Sequence, residues 1–115
     1  MSWNRGTSIL LFVSLSGCSI QYAVAKEVCP SRLEHSLRFV DVFDGSPEEL
    51  ATLIPDVAHA SSGYWRLGYV YDAGRFVTIR CKYDDRKEVE IKLPDKIARC
   101  DYKIDAQHVL SLNCK

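Results

Sequence analysis

The sequence lacks three features that would assign a function directly: a long apolar run, an excess of charge of one sign, and a catalytic motif. No stretch approaches the roughly 18 consecutive apolar residues that a membrane-spanning helix needs. Basic and acidic residues are balanced at 15 each, so the composition implies no phosphate-binding patch and nucleic acid is not expected as a partner. With 47% hydrophobic and 26% charged residues in 115, the composition is that of one globular domain.

Catalytic and metal-binding signatures are also missing from the sequence. The chain contains no G-x-S-x-G, no H-E-x-x-H, no glycine-rich phosphate loop and no calcium-binding loop. The acidic pairs 48–49 and 84–85 are explained by a helix N-terminus and by a turn. His35, His59 and His108 have no spacing that suits a tetrahedral zinc site. The sequence therefore predicts a protein that is not an enzyme and that uses no cofactor or metal.

The first 25 residues have the pattern of an export signal. Arg5 is their only charged residue, and it precedes a short apolar stretch at residues 9–15 that is followed by small residues. A basic start, an apolar centre and small residues after it are typical of a secretory signal. We therefore expect a single domain, residues 26–115, that folds in the periplasm.

Two cleavage sites fit this signal, and they predict different mature N-termini. Residues 15–18, Leu-Ser-Gly-Cys, resemble a bacterial lipobox, which would make residues 1–17 the signal and Cys18 a lipidated first residue that anchors the domain to a membrane. Residues 23–25, Ala-Val-Ala, fit ordinary signal peptidase, which would remove residues 1–25. The close lipobox match favours the lipoprotein by a small margin, although the residues after Cys18 are less polar than a usual lipoprotein tether.

The remaining cysteines predict two disulfides. Both cleavage sites take Cys18 out of the thiol count, which leaves an even number in a small domain that is exported to an oxidising compartment. Cys29, Cys81, Cys100 and Cys114 allow three pairings. The segment between the last two is predicted to form a hairpin whose ends meet, so we favour Cys100–Cys114 together with Cys29–Cys81.

Alternation of apolar and polar residues predicts about six antiparallel strands and one short helix. The strands are expected at residues 37–43, 64–71, 75–83, 87–93, 98–104 and 107–114. The helix is expected after Ser46, because Pro47 suits the first helical position and Glu49 completes a capping box. It should continue to Ile54, since Pro55 ends it. The predicted fold class is α+β or mainly β, with an antiparallel sheet that closes over the helix.

The second predicted strand supplies the candidate partner-binding residues. Aromatic and arginine side chains dominate protein interfaces, because each offers a large contact area with few rotatable bonds. In an extended strand Trp65 faces the core, and we predict that Tyr64, Arg66 and Tyr71 bind the partner. A bulge at Gly68 would reverse the phase of the residues that follow it.

Short motifs in the mature chain resemble a known family. In order, they are Cys29-Pro30, Trp65-x-Leu67-Gly68, Val77-x-Ile79-x-Cys81-x-Tyr83, Leu93-Pro94, Cys100 and Cys114. The order resembles that of a group of small exported proteobacterial proteins first catalogued in Salmonella. Some of that group resemble periplasmic immunity proteins, which protect against a type VI secretion effector that attacks peptidoglycan, such as one of L,D-transpeptidase type. The resemblance implies a binding protein whose partner is a cell-wall-directed toxin, with no cofactor.

Other interpretations stay open. Residues 78–83 and 62–64 resemble the cysteine-bearing strand and the Ser-Gly loop of the membrane-bound lysozyme inhibitor family, which is also exported and rich in β-strands. In this chain the Ser-Gly element precedes the strand, whereas in that family it is expected after it. An accessory envelope lipoprotein without a toxin partner is another alternative, and a small hydrolase with an unfamiliar site is the least favoured.

Overall fold

The structure, a computed structural model, describes residues 26–115 continuously, together with Gly6, Ser14 and Gly17. The lipidation site predicted at Cys18 and nearly all of the predicted signal lie outside the described residues. Among the residues that are described, no helix has the length and apolar character that crossing a bilayer requires.

Within residues 26–115, eight strands form two antiparallel sheets, which confirms the mainly β fold class. They are β1 Lys26–Glu27, β2 Leu37–Asp44, β3 Val57–Ala58, β4 Ser62–Arg66, β5 Val77–Tyr83, β6 Glu88–Leu93, β7 Arg99–Ile104 and β8 Leu110–Cys114. The first sheet has the order β1-β8-β7-β4-β3 and the second the order β2-β5-β6. Because β1 and β3 have only two residues each, six longer strands remain, as the alternation predicts.

The centre of the core is β5, whose burial follows the predicted alternation. Val77, Ile79 and Cys81 are fully buried, on the face of the strand that looks toward the first sheet. On the neighbouring strand β2, Val42 and Val40 lie opposite Ile79 and Cys81 and are buried with them. Since alternate side chains of a strand point to opposite faces, these residues form one apolar layer.

Both predicted disulfides are confirmed. Cys100 and Cys114 lie directly opposite each other on β7 and β8, because the hairpin between them brings its two ends together. Cys29 is bonded to Cys81 across 52 residues of sequence, with their Cα atoms 5.9 Å apart. The Cys29–Cys81 bond fixes the segment that precedes β2 to β5, the central strand of the core.

The helix predicted to run to Ile54 is wrong beyond its first turn. A 3-10 helix, Pro47–Glu49, begins where the capping signals place it, but Leu50 then adopts a left-handed conformation with φ 58°. The chain continues extended along the open edge of β2, where the Leu53 N–H donates to the Val42 carbonyl at 2.7 Å. A helix of two turns is marginal by itself, so the backbone hydrogen bonds offered by β2 decide the conformation.

The strand predicted over residues 64–71 is wrong after Arg66. That residue pairs with Arg99, the first residue of β7, so β4 ends where its neighbour begins. A single helical turn follows, α1 Gly68–Asp72. It places Val70 in the core, which a solvent-exposed continuation of the strand would not do.

Candidate functional site

An apolar groove of about 380 Å³ opens between the two sheets. One wall comes from β2, a second from residues 52–60, and the rest from β4, β7 and β8. The apolar side chains that line it include Phe39, Leu53, Ile54, Trp65, Tyr102 and Ile104. A concave, mostly apolar surface of this size is typical of a binding site.

The two side chains at the mouth of the groove are unusually exposed for their type. Phe39 is 55% and Ile54 87% exposed, whereas Trp65 at the floor is buried. Single exposed apolar residues are ordinary, but several around one apolar depression mark an interaction surface. The groove is therefore suited to apolar side chains of another molecule.

The floor of the groove is a fixed pair of aromatic rings. The ring centroids of Trp65 and Tyr102 are 5.4 Å apart, and the Trp65 Nε1–H donates to the Leu53 carbonyl at 3.0 Å. Gly63 is required below them, because a Cβ at this position would lie 2.6 Å from the Tyr102 ring. These contacts tie the wall at residues 52–55 to the first sheet, so the groove is formed before any partner arrives.

An ion pair neutralises the acidic side chain at the rim. The Lys82 ammonium lies 2.9 Å from an Asp41 carboxylate oxygen and 5.6 Å from the centroid of the Phe39 ring. The ammonium thus compensates the carboxylate and contacts the exposed ring. The rim next to Phe39 carries no net charge that would repel an apolar segment.

Tyr64 and Arg66 lie together, but on the opposite face of the sheet from the groove. Because β4 alternates, Trp65 points into the groove and its two neighbours point away from it. The Arg99 guanidinium carbon is 3.5 Å from the Tyr64 ring centroid and forms an ion pair with Asp101 at 2.7 Å. Arg66 is exposed beside this stack. A role for Tyr64 and Arg66 in partner binding stays a prediction.

Tyr71 does not share a strand with them, because the strand that was predicted to reach residue 71 ends at Arg66. It belongs to α1, and its hydroxyl donates to the Leu93 carbonyl at 2.7 Å. Its ring is half-buried, and burial raises the pKa of its hydroxyl. The contact joins α1 to β6, which is a structural role; binding by Tyr71 also stays a prediction.

The Ser-Gly element is a strand here and not a loop. Ser62 and Gly63 begin β4 and pair with β7, and Gly63 is buried under Tyr102. A buried glycine within a sheet cannot enter an enzyme's cleft. The resemblance to the lysozyme inhibitor family therefore does not extend to an exposed inhibitory loop.

One cluster in the described part of the chain has the residue types of a metal site. One potential ligand atom from each of His35, Asp84 and Asp85 lies within 4.8 Å of the others. The Arg32 guanidinium already donates two hydrogen bonds of 2.7 Å to Asp85, and His35 Nδ1 is 2.9 Å from Asp84. A cation would have to displace this guanidinium, so the cluster is better described as an ion-pair network.

The network lowers the pKa of both carboxyl groups. Hydrogen bonds from the Arg32 guanidinium hold the pKa of Asp85 well below its usual range. The Ser36 N–H, and then His35, lower the pKa of Asp84. Both carboxylates are therefore stabilised in their ionised form.

Acid is expected to weaken the fold through these two groups. Because their pKa values are lower in the folded chain, their stabilising effect is complete above the unfolded value of about 3.9 and is lost as the pH falls through the lower folded values. Urea unfolding midpoints measured from neutral pH to about pH 2 should fall in this acid range. The fall should be shallower in Asp85→Asn than in the control Asp72→Asn, whose ion pair with Lys96 is more exposed. Identical profiles for the two variants would contradict the assignment.

Together, the fold and the groove define a small, disulfide-linked β protein with a preformed apolar depression on its surface. A family described as type VI secretion system Tli immunity protein matches residues 30–115, and the chain belongs to this family. No curated protein and no solved structure shows significant similarity to this chain. Membership confirms the resemblance to type VI immunity proteins and implies a protein effector as the partner.

Proposed function

We propose that the protein acts in the periplasm, where it neutralises a type VI effector by binding that effector with its apolar groove. The observation that carries the proposal is the groove itself, which exposes Phe39 and Ile54 around a preformed aromatic floor. A buried apolar contact surrounded by polar groups is the usual energetic centre of a protein interface. Neutralisation then follows from occlusion and needs no chemistry by this chain.

The compartment is supported by the two disulfides. Such bonds persist outside the reducing cytosol, and a domain of this size gains much of its rigidity from them. The predicted export signal would deliver the chain to that compartment. A lipid on Cys18 would then hold the domain at a membrane, and the loss of a fatty-acid label in Cys18→Ala is the measurement that distinguishes this form from one cleaved after residue 25.

We further propose that the effector modifies peptidoglycan and is of L,D-transpeptidase type. The support is the resemblance of the motif order to that of small exported proteins of which some resemble immunity proteins against such enzymes. Peptidoglycan is a substrate that an effector meets in the same compartment as this domain. The proposed target class of the effector and the proposed immunity role can be wrong independently. The experiment must therefore test each of them.

We expect the effector to be encoded beside this gene, and the test uses that protein. The effector and either the wild-type chain or a variant are directed to the periplasm of a sensitive host, and survival is scored. The affinity of the purified pair is measured in parallel. Ile54→Asp should weaken binding by about 100-fold and abolish protection, because a charge would be buried within the apolar contact. Its melting temperature should not change, since Ile54 is 87% exposed.

The matched control is Leu50→Asp. Leu50 is 83% exposed and four positions away, but it does not line the groove. Wild-type affinity in Ile54→Asp would remove the groove from the proposal. An effector that hydrolyses membrane lipids instead of modifying peptidoglycan would contradict the target class alone. Arg66→Ala in the same assay measures whether the Tyr64 face contributes to the contact.

A further inference from the structure

A tight turn before β2 presents one leucine to solvent. Arg32 and His35 pair across the turn, with the His35 N–H donating to the Arg32 carbonyl at 3.3 Å. Leu33, at the tip, is 90% exposed, the largest fraction among the exposed large apolar side chains of the described residues. Glu34 follows it in the left-handed region, with φ 64°. We call these four residues, 32–35, the Leu33 turn.

The Leu33 turn is fixed on its N-terminal side by covalent and ionic contacts to β5 and the turn that follows it. The Cys29–Cys81 disulfide begins this attachment. The Arg32 guanidinium donates both of its hydrogen bonds to Asp85 and lies 4.8 Å from the centroid of the Tyr83 ring. This combination leaves the base of the turn little freedom to move.

The C-terminal side is fixed as well. His35 Nδ1 is 2.9 Å from Asp84, and the Ser36 N–H donates to the same carboxylate at 3.1 Å. The Asp84 N–H in turn donates to the Ser36 carbonyl at 2.9 Å. The tip is therefore held from both ends, although Leu33 itself covers almost none of the core.

The Leu33 turn leads directly into β2, which forms one wall of the apolar groove. A smaller pocket of about 210 Å³ lies at its base and is lined by Arg32, His35 and Leu110. Leu110 also lines the apolar groove. Phe39 on the β2 wall follows His35 by four residues, a span of at most about 14 Å, so a partner that fills the groove can reach the turn.

We propose that the Leu33 turn is a second docking element for the effector, and that Leu33 inserts into an apolar depression of the effector bordered by a basic side chain. The inference rests on the proposed function. An anchor held in its bound conformation loses little freedom on binding, so it contributes to affinity more than a mobile residue of the same type. The exposed carboxylate of Glu34 beside the anchor favours a cationic border.

The test measures effector affinity with the full chain carrying Leu33→Ala or Leu33→Asp. We expect a loss of about 10-fold for alanine and about 100-fold for aspartate, with unchanged melting temperatures. Leu50→Asp is again the matched control, because it changes another leucine that is 83% exposed and lies at the end of the 3-10 helix. It should bind as the wild type does.

A second variant tests the contribution of the contacts that hold the Leu33 turn, while Leu33 itself is unchanged. Asp85→Asn weakens the contact with Arg32 but keeps Leu33, so it should loosen residues 31–36 in hydrogen exchange and lower the affinity by a smaller factor. Wild-type affinity in Leu33→Asp together with a loss in Ile54→Asp would overturn this inference and leave the proposed function intact. A loss in Leu33→Asp alone would support the turn and remove the groove. Wild-type affinity in both variants would overturn both.

Discussion

Replacing Cys29 and Cys81 together with serine is expected to lower the free energy of unfolding by about 4 kcal/mol. The bond closes a loop of 52 residues, and the chain-entropy argument gives a larger effect for a longer loop. Removing both cysteines avoids a free thiol in the core. Urea denaturation followed by circular dichroism at neutral pH measures the loss.

The other disulfide provides the comparison. The Cys100–Cys114 bond closes only 14 residues, so its double serine variant should lose about 3 kcal/mol. The first variant should also show faster hydrogen exchange in the Leu33 turn, which the second should leave unchanged. A larger loss from the shorter loop would mean that chain entropy does not govern the contribution of these bonds.

Ile79→Ala is expected to cost about 2–5 kcal/mol, because it empties space at the centre of the core. Ile79 is fully buried on β5, between β2 and β6, so the neighbouring strands cannot close over the cavity. The same measurement of urea denaturation applies. Retention of full stability would show that the two sheets pack more loosely than their burial indicates.

The groove offers the matched control for this substitution. Ile54→Ala removes the same atoms from an 87% exposed side chain, so its effect on the free energy of unfolding should stay within about 0.5 kcal/mol. It should instead weaken binding of the effector. A pair of variants of one residue type then separates stability from function, and comparable destabilisation by both would contradict the exposed position of Ile54.

The strands were predictable because their signals are local. In β5 and β6 the alternation of apolar and polar residues repeats at every second position, and a short turn joins the two strands. The pairing of Cys100 with Cys114 followed from the predicted hairpin, and the remaining pair followed by exclusion. Each of these predictions needed only neighbouring residues or a count.

The predictions of a helix up to Ile54 and of a strand over residues 64–71 were wrong in part, because local sequence does not determine where either element ends. The capping signals at Pro47 were correct for one turn, but the edge of β2 determined what came after Leu50. Likewise β4 ends at Arg66 because its partner strand begins at Arg99. Both outcomes depend on segments that are distant in sequence and adjacent in the fold.

The apolar groove was missed for the same reason. Phe39, Ile54 and Tyr102 come from three separate segments, and only the fold brings them to one depression. Ile54 was expected to end a helix, whereas it lies exposed on an extended segment. Its position just before Pro55, which prevents a helix from continuing, was the one local sign that the residue could project outward.

Residues 51–53, which replace the end of the predicted helix, also prevent the chain from aggregating through β2. β2 is an outer strand of its sheet, and an uncovered outer strand can recruit the strand of a second copy. Residues 51–53 already occupy the hydrogen-bonding groups of β2 at Val42 and Asp44. On the far side, β6 carries outward charges at Glu88, Glu90 and Lys92. Neither outer strand of this sheet is therefore open to pairing with a second copy, so the chain can reach a high local concentration without this sheet joining others into fibres.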